Sequence, residues 1–457
     1  MSESRFERIM FSRVPVWLVG LLGVLALLAM VAFGNIAIHA YKGGKKAGVL
    51  GDAAMALSTI PEFLQRFQNA TDYLRISVPA HQGKAGFAFN YAAGSRPDAG
   101  YLLLTRYDGD DLRSYVELWD LNAQSKLYTW APPVDEINAQ SVDFESPEID
   151  LIADQSLGRM ILRHPVVMPD GSIVIKSRSP LSRVDACNRI MWINDDVLFH
   201  HATEQDSAGN FWLASKFEPP VVPMVDPENF KDDAITQVSP DGELLLQRSV
   251  AELLLKAGQP EMVYGTAAYL DDPVHLNDVQ PVLADGPFWK KGDVFLSLRN
   301  TSTVMLYRPS TDQIIWQKRG PWSMQHDVDV LDDHRISVFD NHSYEYFRFP
   351  RVDGHSDVVI YDFATDTVSR PWADALAGLE FQTVTEGLQT VRPNGSLFVE
   401  EQNLGRILEL DAKGGVNWEF VNRSKGDGYL YRVGWSRMLE PEQGAAIAKT
   451  LAGITCP

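Results

Sequence analysis

The hydrophobic pattern of the chain begins with one long apolar run near the N-terminus. From Val14 to Tyr41 the sequence contains no Asp, Glu, Lys or Arg, and a membrane-spanning helix needs about 20 apolar residues. A cleaved signal peptide is the competing interpretation, because basic residues precede the run and Ala40 offers a small residue for cleavage. The run exceeds the roughly 7–15 residues of a signal-peptide core, so it favours an uncleaved anchor.

The pattern changes twice after this run. Apolar residues recur at helical spacing from Val49 to Phe67, with an interruption at Pro61, which predicts a short helical stalk. From Tyr101 onward, short β-rich runs alternate with clusters of Asp, Gly, Asn and Pro, and no long amphipathic helix separates them. This texture predicts an all-β domain.

The β-rich region repeats a pattern of strand, acidic turn, strand and closing tryptophan. The copies are VELWDLNAQSKLYTW, LSRVDACNRIMW, MLYRPSTDQIIW, VVIYDFATDTVSRPW and ILELDAKGGVNW, which end at Trp130, Trp192, Trp316, Trp372 and Trp418. A degenerate copy, ITQVSPDGELLLQ, fills the double-length gap between Trp192 and Trp316. A second hairpin with a glycine turn precedes most copies, so each unit supplies about four short strands.

Six such units, repeated at roughly 45–60 residues, predict a six-bladed β-propeller. A propeller closes its sheets into a ring and so leaves few strand edges exposed. The segment from Tyr429 to Leu439 is left over after the sixth unit, and we expect it to complete the ring by pairing with an early blade. The repeated tryptophans are expected to pack between blades rather than to bind a cofactor.

The pattern as a whole predicts five segments along the chain. They are a cytoplasmic N-terminus (1–13), a transmembrane anchor (14–41), a stalk or linker (42–95), the six-bladed propeller (96–440) and a C-terminal helical tail (441–457).

Charge narrows the range of partners. The chain carries 41 Lys plus Arg against 60 Asp plus Glu, a formal net charge of -19. A nucleic-acid backbone or an anionic bilayer surface is repelled by such a protein on average. We therefore expect no nucleic-acid partner, while contact with the membrane is expected through the N-terminal helix and protein partners remain open.

The two cysteines, Cys187 and Cys456, match neither a zinc site nor a CxxC pair. They admit a single intramolecular bridge, which would tie down the tail after a short helix from Pro441 to Leu451. Because disulfides persist in oxidising compartments, we expect this bridge and, with it, a propeller on the periplasmic side of the inner membrane. The charges beside the anchor leave the orientation open, since three arginines before it oppose three lysines after it.

Three runs carry a resemblance to a known family: FHHATEQDSAGNFWLA (Phe199 to Ala214), HLNDVQPVLADG (His275 to Gly286) and MQHDVDVLDDHRISVFDN (Met324 to Asn341). They resemble the bacterial arylsulfotransferases, and the resemblance covers the predicted propeller. It implies an extracytoplasmic six-bladed propeller that transfers a sulfuryl group from a phenolic sulfate ester to a phenolic acceptor. The transfer would pass through a sulfohistidine, without PAPS or another cofactor.

The resemblance implies a set of catalytic residues, namely His326, His275, Asn277, Arg299 and His201 (or its neighbour His200). Sulfuryl transfer resembles phosphoryl transfer in its loose transition state, so it needs a nucleophile, a cation for the sulfuryl oxygens and an acid for the leaving phenolate. His326 would attack sulfur as a neutral imidazole. Arg299 and Asn277 would hold the sulfuryl oxygens. His275 or His201 would protonate the phenolate, because imidazole titrates near neutral pH.

We expect His201, His275 and His326 to occupy equivalent points of successive blades and to converge on the central channel. A metal site built from these histidines is an alternative, since imidazole binds zinc and copper. The sequence also departs from the family at His334, where a turn glycine is usual, and at Ala202, where Asp is common. These departures favour a second hypothesis, a non-catalytic propeller that binds membrane or periplasmic partners.

Overall fold

The computed structural model describes residues 15–41, 48–58, 74–76, 78–141, 151, 155–227, 229–266, 269–346 and 349–457. The chain divides into two compact units, residues 1–71 and residues 72–457. The predicted cytoplasmic N-terminus and the second half of the predicted helical stalk lie outside the described residues.

The first unit contains two helices, α1 (Val16–Tyr41) and α2 (Gly48–Ser58). Within α1, the stretch Val16–Ile38 has a mean hydropathy of 2.7. It is long and apolar enough to cross a membrane as an anchor, and a signal sequence near the N-terminus has the same character. Helix α2 occupies the first part of the predicted stalk.

The second unit is the predicted all-β propeller, and its first strands are β1 (Arg75–Ile76) and β2 (Gly86–Phe89). Blade 1 contains β3 (Tyr101–Asp108), β4 (Arg113–Asp120) and β5 (Ser125–Trp130). Blade 2 contains β6 (Val166–Val167), β7 (Ile173–Ile175), β8 (Leu181–Val184) and β9 (Ile190–Asn194). Blade 3 contains β10 (Leu198–Gln205), β11 (Phe211–Phe217), β12 (Asp232–Val238) and β13 (Leu244–Ser249).

The second half of the ring follows the same order. Blade 4 contains β14 (Leu276–Pro281), β15 (Val294–Leu298), β16 (Thr303–Arg308) and β17 (Gln313–Arg319). Blade 5 contains β18 (Val328–Val330), β19 (Arg335–Asp340), β22 (Asp357–Asp362) and β23 (Thr367–Ser369), with the hairpin β20 (Ser343–Tyr346) and β21 (Phe349–Val352) inserted. Blade 6 contains β24 (Leu388–Val391), β25 (Leu397–Glu401), β26 (Arg406–Leu410) and β27 (Val416–Val421), and the last strands are β28 (Leu430–Tyr431) and β29 (Arg437–Leu439).

Short helices lie between the blades and at the C-terminus. They are α3 (Val134–Gln140), α4 (Val250–Lys256), α5 (Glu261–Tyr264), α6 (Ala373–Gly378) and α7 (Pro441–Ala452), with a 3-10 turn at Gln402–Leu404.

The ring is closed by strands from both ends of the propeller unit. Strand β29 pairs antiparallel with β3, with Arg437 opposite Leu103 and Leu439 opposite Tyr101, and forms the innermost strand of blade 1. The leftover segment therefore completes the ring with an early blade, as expected. Strand β2 pairs with β27 as a fifth strand of blade 6, and β1 pairs with β28. These early strands lie within the range 42–95 that the sequence assigns to a linker.

The core of the propeller lies between adjacent blades. The middle strands are hydrophobic on both faces because each blade is covered on both sides, and every residue of β15 is buried. The outermost strand of the same blade, β17, alternates exposed and half-buried residues. One hydrophobic cluster joins Ile235 of blade 3 to Leu296 and Met305 of blade 4.

The repeated tryptophans pack between blades and mark where each blade ends. The indole N–H of Trp130 donates to Gly171 O at 3.1 Å, that of Trp192 to Pro240 O at 3.1 Å, and that of Trp372 to Asp411 O at 3.1 Å. Each acceptor lies in the following blade. The buried indole therefore combines apolar packing with a hydrogen bond that sets the spacing of neighbouring blades.

The C-terminal tail is docked and cross-linked. Ile447 and Leu451 of α7 are buried in the cluster formed by blades 1 and 2. Gly444 allows close approach, because a Cβ there would lie 2.1 Å from the Tyr101 ring. The predicted disulfide is confirmed: Cys187, in the β8–β9 turn, is bonded to Cys456.

This arrangement predicts a measurable contribution of the disulfide to stability. The bridge spans 269 residues of sequence, and the chain-entropy estimate for such loops is about 5 kcal/mol as an upper figure. Docking of α7 already restrains the tail, so we expect Cys456→Ser to lower Tm by only a few degrees. Thermal unfolding with and without reductant checks this, since reduced wild-type protein should match the variant. An unchanged Tm in both samples would contradict the prediction.

Candidate active site in the central channel

Each blade has one residue with a left-handed backbone conformation in or shortly before its innermost strand, and these residues form a ring. They are Trp435, His164, His201 (inside β10), His275, Met324 and Glu386, with φ between 45° and 60°. This conformation costs non-glycine residues about 1–2 kcal/mol, and strained residues of this kind concentrate at functional sites. The ring marks one end of the channel as the candidate site.

The ring corrects the expected equivalence of the three histidines. His201 and His275 do occupy equivalent positions. His326 lies two residues after Met324, which makes it the equivalent of Asn277, two residues after His275. The rings still converge, because the centroid of His201 lies 5.1 Å from that of His275 and 6.2 Å from that of His326.

His326 is held in one orientation by two hydrogen bonds. Its Nδ1 lies 2.7 Å from Asn341 Oδ1. The amide of Asn341 donates through Nδ2 to two main-chain carbonyls, those of Thr383 and Glu386, so its Oδ1 is the acceptor. Nδ1 of His326 therefore carries the proton and Nε2 carries the lone pair, which accepts the main-chain N–H of Glu386 at 2.8 Å.

The surroundings keep His326 neutral. Burial lowers its pKa to about 3, and the charge of Arg299 lowers it as well, while the hydrogen bond to Asn341 acts in the opposite direction. Its side chain is buried in the described structure. The residue is therefore a neutral imidazole, protonated at Nδ1 only, throughout the neutral pH range.

His275 has a different type of partner. Its Nδ1 lies 2.6 Å from Asp272 Oδ2. The main-chain carbonyl of Asp272 accepts a hydrogen bond from Asn300 Nδ2 at 2.6 Å, which holds the loop in place. Burial raises the pKa of Asp272, but the hydrogen bond and charge of His275 outweigh this effect and bring the pKa below its usual value. A carboxylate of this kind fixes the orientation of the imidazole through its Nδ1.

His201 and His200 form a neutral pair. Their Nδ1 atoms lie 2.6 Å apart, so one ring donates to the other. Burial and then the neighbouring His200 and His275 lower the pKa of His201 well below its usual value. Burial also lowers the pKa of His200, although Asp233 raises it. The carbonyl of His201 accepts a hydrogen bond from the buried Lys176 ammonium, which helps to hold its strained backbone.

Arg299 and Asn277 bring hydrogen-bonding capacity to the same place. Arg299 is nearly buried, and its main-chain N–H donates to His275 O at 3.0 Å. Asn277 is fully buried and donates through Nδ2 to Gln325 O at 3.1 Å, next to His326. Within the described part of the chain, Nε of Arg299 and Oδ1 of Asn277 have no hydrogen-bond partner. Buried polar atoms of this kind are usually satisfied, which points to a ligand.

The aspartates that follow the site residues connect adjacent blades. Asp278 accepts the main-chain N–H of Val328 at 3.1 Å, and Asp327 accepts that of Gln389 at 2.9 Å. Burial raises the pKa of both carboxyls well above the usual value. The Asp of the Gln-His-Asp motif is therefore a link between blades that fixes the height of His326 in the channel.

Several groups that complete the site are not identified by sequence reasoning: Asp272, Asn341, Glu386, Arg163, His164 and Trp435. Asn341 ends the motif run that contains His326, so its position in that run is a usable signal. Trp435 lies in the ring-closing segment, and its indole is 6.4 Å from the His326 ring. Glu386 acts on His326 through its main chain, which no pattern of side chains reveals.

The histidine and aspartates of the β18–β19 turn lie outside the channel and are not part of the candidate site. His334 lies in the turn between β18 and β19, next to Asp332 and Asp333. Within the described ranges, these three are the only residues whose ligand atoms lie close enough to share a metal ion. His201, His275 and His326 do not form such a group within these ranges.

The depressed pKa of His326 gives a testable pH dependence. The unfolded histidine, with a pKa near 6.5, binds a proton before the folded one, so stability falls as pH decreases from about 6.5 toward 3. His326 alone accounts for up to about 1.4 kcal/mol per pH unit in that window. In His326→Gln, the loss of stability on acidification should be shallower, as measured by urea unfolding at pH 7 and 4.5. His334→Gln is the control and should not make it shallower; equal slopes in wild type and His326→Gln would refute the assignment.

Comparisons of the whole chain with known proteins give the following similarities. None of the curated proteins matches this sequence. The chain is similar to a protein of unknown function from Bacteroides caccae, with 13% identity, 73% of this chain and 97% of that chain covered, and a TM-score of 0.42. It is also similar to virginiamycin B lyase from Staphylococcus aureus (11% identity, 56% and 69% covered, TM-score 0.33) and to the WD40 β-propeller domain of Doa1 (10% identity, 79% and 94% covered, TM-score 0.38).

One comparison covers the channel itself. The sequence profile of the arylsulfotransferase (ASST) family matches residues 164–423, which is more than half of the chain. That range includes His201, His275, Arg299 and His326. The chain belongs to the arylsulfotransferase family.

Proposed function

We propose that this protein is a membrane-anchored arylsulfotransferase that moves a sulfuryl group from a phenolic sulfate ester to a phenolic acceptor through a sulfohistidine on His326. The observation that carries the proposal is that two imidazoles in one channel have different hydrogen-bond partners. His326 is neutral and bonded to an amide, while His275 is bonded to a carboxylate. A nucleophile and a proton donor need these two different environments.

In the first half-reaction, Nε2 of His326 forms a bond to sulfur while the ester S–O bond breaks. The electron pair of that bond leaves on the phenolate oxygen, which takes a proton from His275. In the second half-reaction, the acceptor phenol gives its proton to His275, its oxygen bonds to sulfur, and the N–S electron pair returns to Nε2. His275 alternates between acid and base, so the two half-reactions restore the enzyme.

The choice of His275 as the acid follows from the neighbours of the two candidate histidines. His201 is buried among other imidazoles, which oppose a second positive charge. His275 has the Asp272 carboxylate on Nδ1, so its Nε2–H is available to the leaving phenolate. His201 then serves as a neutral hydrogen-bonding group of the site.

Arg299 and Asn277 are placed to bind the transferred group. The guanidinium of Arg299 offers a planar fork to two sulfuryl oxygens. The Nδ2 of Asn277 uses one hydrogen on Gln325 and retains a second for a sulfuryl oxygen. Both act where charge accumulates in the loose transition state, which is where electrostatic stabilisation is most effective.

The proposed location is the periplasmic face of the inner membrane, with α1 as a single-pass anchor. The Cys187–Cys456 disulfide supports an oxidising compartment. The apolar length of Val16–Ile38 supports the anchor. The chain has a formal net charge of -19 and is repelled on average by anionic lipid, so the anchor and not the propeller surface would provide membrane contact.

The direct test is incubation of the full-length protein with p-nitrophenyl sulfate and phenol. We expect nitrophenolate release that depends on phenol, together with formation of phenyl sulfate. In the absence of acceptor, nitrophenolate release should be accompanied by a sulfuryl group retained on a histidine peptide. Detection of that peptide by mass spectrometry would identify the intermediate. No release and no labelled peptide would leave the non-catalytic binding module as the function.

The nucleophile and the sulfuryl-binding cation can be tested separately. His326→Ala should abolish transfer, because it removes the nitrogen that bonds to sulfur. Arg299→Lys should lower kcat by about tenfold or more, since an ammonium cannot hold two oxygens in the geometry of a guanidinium. Steady-state kinetics measure both, and transfer at the wild-type rate in either variant would remove that residue from its role.

The role of His275 as the general acid can be tested by comparing donors with different leaving groups. Phenolate is a poorer leaving group than nitrophenolate and depends more on a proton donor. His275→Gln should therefore reduce transfer from phenyl sulfate far more than transfer from p-nitrophenyl sulfate. His201→Gln provides the matched control and should affect both donors similarly; a reversed result would exchange the two assignments.

A further inference from the structure

The lone pair that the proposed reaction requires is occupied in this structure. The main-chain N–H of Glu386 donates to His326 Nε2 at 2.8 Å, and the main-chain carbonyl of Glu386 accepts from Asn341 Nδ2 at 2.8 Å. With the bond between His326 and Asn341, these contacts form a closed cycle of three hydrogen bonds. Attack on sulfur by Nε2 requires that the Glu386 N–H move away from this nitrogen.

The position of Glu386 is set by its backbone and by its side chain. Its φ is +60°, which is strained for a residue with a side chain. Gly387 follows with φ +90°, where a Cβ would lie 2.7 Å from the Phe339 ring. The Glu386 carboxylate lies 2.5 Å from NH1 of Arg163. The ion pair is thus one of the contacts that hold the Glu386 peptide against His326.

Arg163 lies in the same channel as the proposed reaction. It precedes His164 of the left-handed ring, and its main-chain N–H donates to Lys176 O at 2.7 Å. Its side chain contacts Glu386, whose main-chain N–H donates to His326 in the channel. The Arg163 and Glu386 side chains are 13% and 10% exposed, so the pair has limited access to the channel rather than being sealed in the core.

We propose that the ion pair of Arg163 and Glu386 is a latch that the sulfate donor opens. The anionic sulfuryl group takes the place of the Glu386 carboxylate on Arg163, and the released Glu386 withdraws its main-chain N–H from Nε2 of His326. Arg163 is then a second sulfuryl-binding residue, and Glu386 is a positioning residue. This inference rests on the proposed sulfuryl transfer.

The exchange is consistent with the charges in the channel. A guanidinium binds the oxygens of a sulfate in the same bidentate manner as those of a carboxylate. Arg163 therefore has an anionic partner before and after the exchange, which avoids an unpaired buried cation. Burial raises the pKa of Glu386, but the charges of Arg163 and then Arg432 bring it below its usual value.

The two partners of the latch should affect substrate binding in opposite directions. Glu386→Gln makes Arg163 available without competition, so the KM for p-nitrophenyl sulfate should fall severalfold. Arg163→Gln removes the group that receives the sulfate, so KM should rise about tenfold or more. An ion pair that only stabilises the fold would show changes of the same sign in both variants, and that result would overturn the latch.

A second measurement does not depend on sulfuryl transfer. Diethyl pyrocarbonate acylates unprotonated imidazole nitrogens, and its reaction with His326 can be followed by peptide mass spectrometry in the full-length protein at pH 7. Both latch variants should expose Nε2 and increase the modification rate about tenfold over wild type. Unchanged rates in both variants would refute the latch even if the enzyme is active, and increased rates in an inactive protein would refute the proposed function alone.

A matched control is available in the same channel. Arg437 and Glu204 also form an ion pair across the channel, at 3.2 Å, with side chains 22% and 12% exposed. The side-chain hydrogen bonds of Arg437 in the described structure go to Pro165, Thr203 and Glu204 and not to His326, so Arg437→Gln should leave both the KM and the modification rate of His326 near wild type. Acceleration in this variant as large as in Arg163→Gln would show a general loosening of the channel and would contradict the latch.

Discussion

Antiparallel pairing between the last strand and the first blade is the constraint on which the rest of the molecule depends. Strand β29 supplies the innermost strand of blade 1, and the backbone hydrogen bonds that join it to β3 turn a row of six sheets into a ring. A ring has a shared axis, and residues from distant parts of the chain meet around it. The cluster of His201, His275 and His326 is a direct result of this closure.

The imidazoles of the site differ chemically because each one is hydrogen-bonded to a different partner residue. Asn341 makes His326 a neutral acceptor at Nε2, whereas His275 has the Asp272 carboxylate on its Nδ1. His201 and His275 do occupy equivalent ring positions, yet the partner of the first is an imidazole and that of the second is a carboxylate. The propeller thus supplies a repeated geometry, and the loops that precede or follow each inner strand assign the roles.

Much of the fold can be predicted from the sequence because it depends on patterns of residue type within short stretches of the chain. The closing tryptophans, the alternating outer strands and the surplus segment after the sixth unit all follow from residues close to one another in the chain. The site is only partly predictable. His201, His275, Asn277, Arg299 and His326 stand in recognisable motifs, but the equivalence of His326 to Asn277 depends on a two-residue offset that only backbone geometry reveals. The contact of Glu386 with His326 is made by a peptide N–H, which every residue except proline has, so no residue type signals it.

The ring closure also sets the order in which the protein can become functional. The chain is synthesised from its N-terminus, but the inner wall of blade 1 comes from residues 437–439, and the covalent tie to blade 2 comes from Cys456. Five blades can form hairpins as they emerge, while the channel stays open on one side until the final residues arrive. Contacts of such high sequence separation are slow to form. The channel that holds the candidate site is therefore completed late, and a prematurely terminated chain that folds most of its blades still lacks a closed channel.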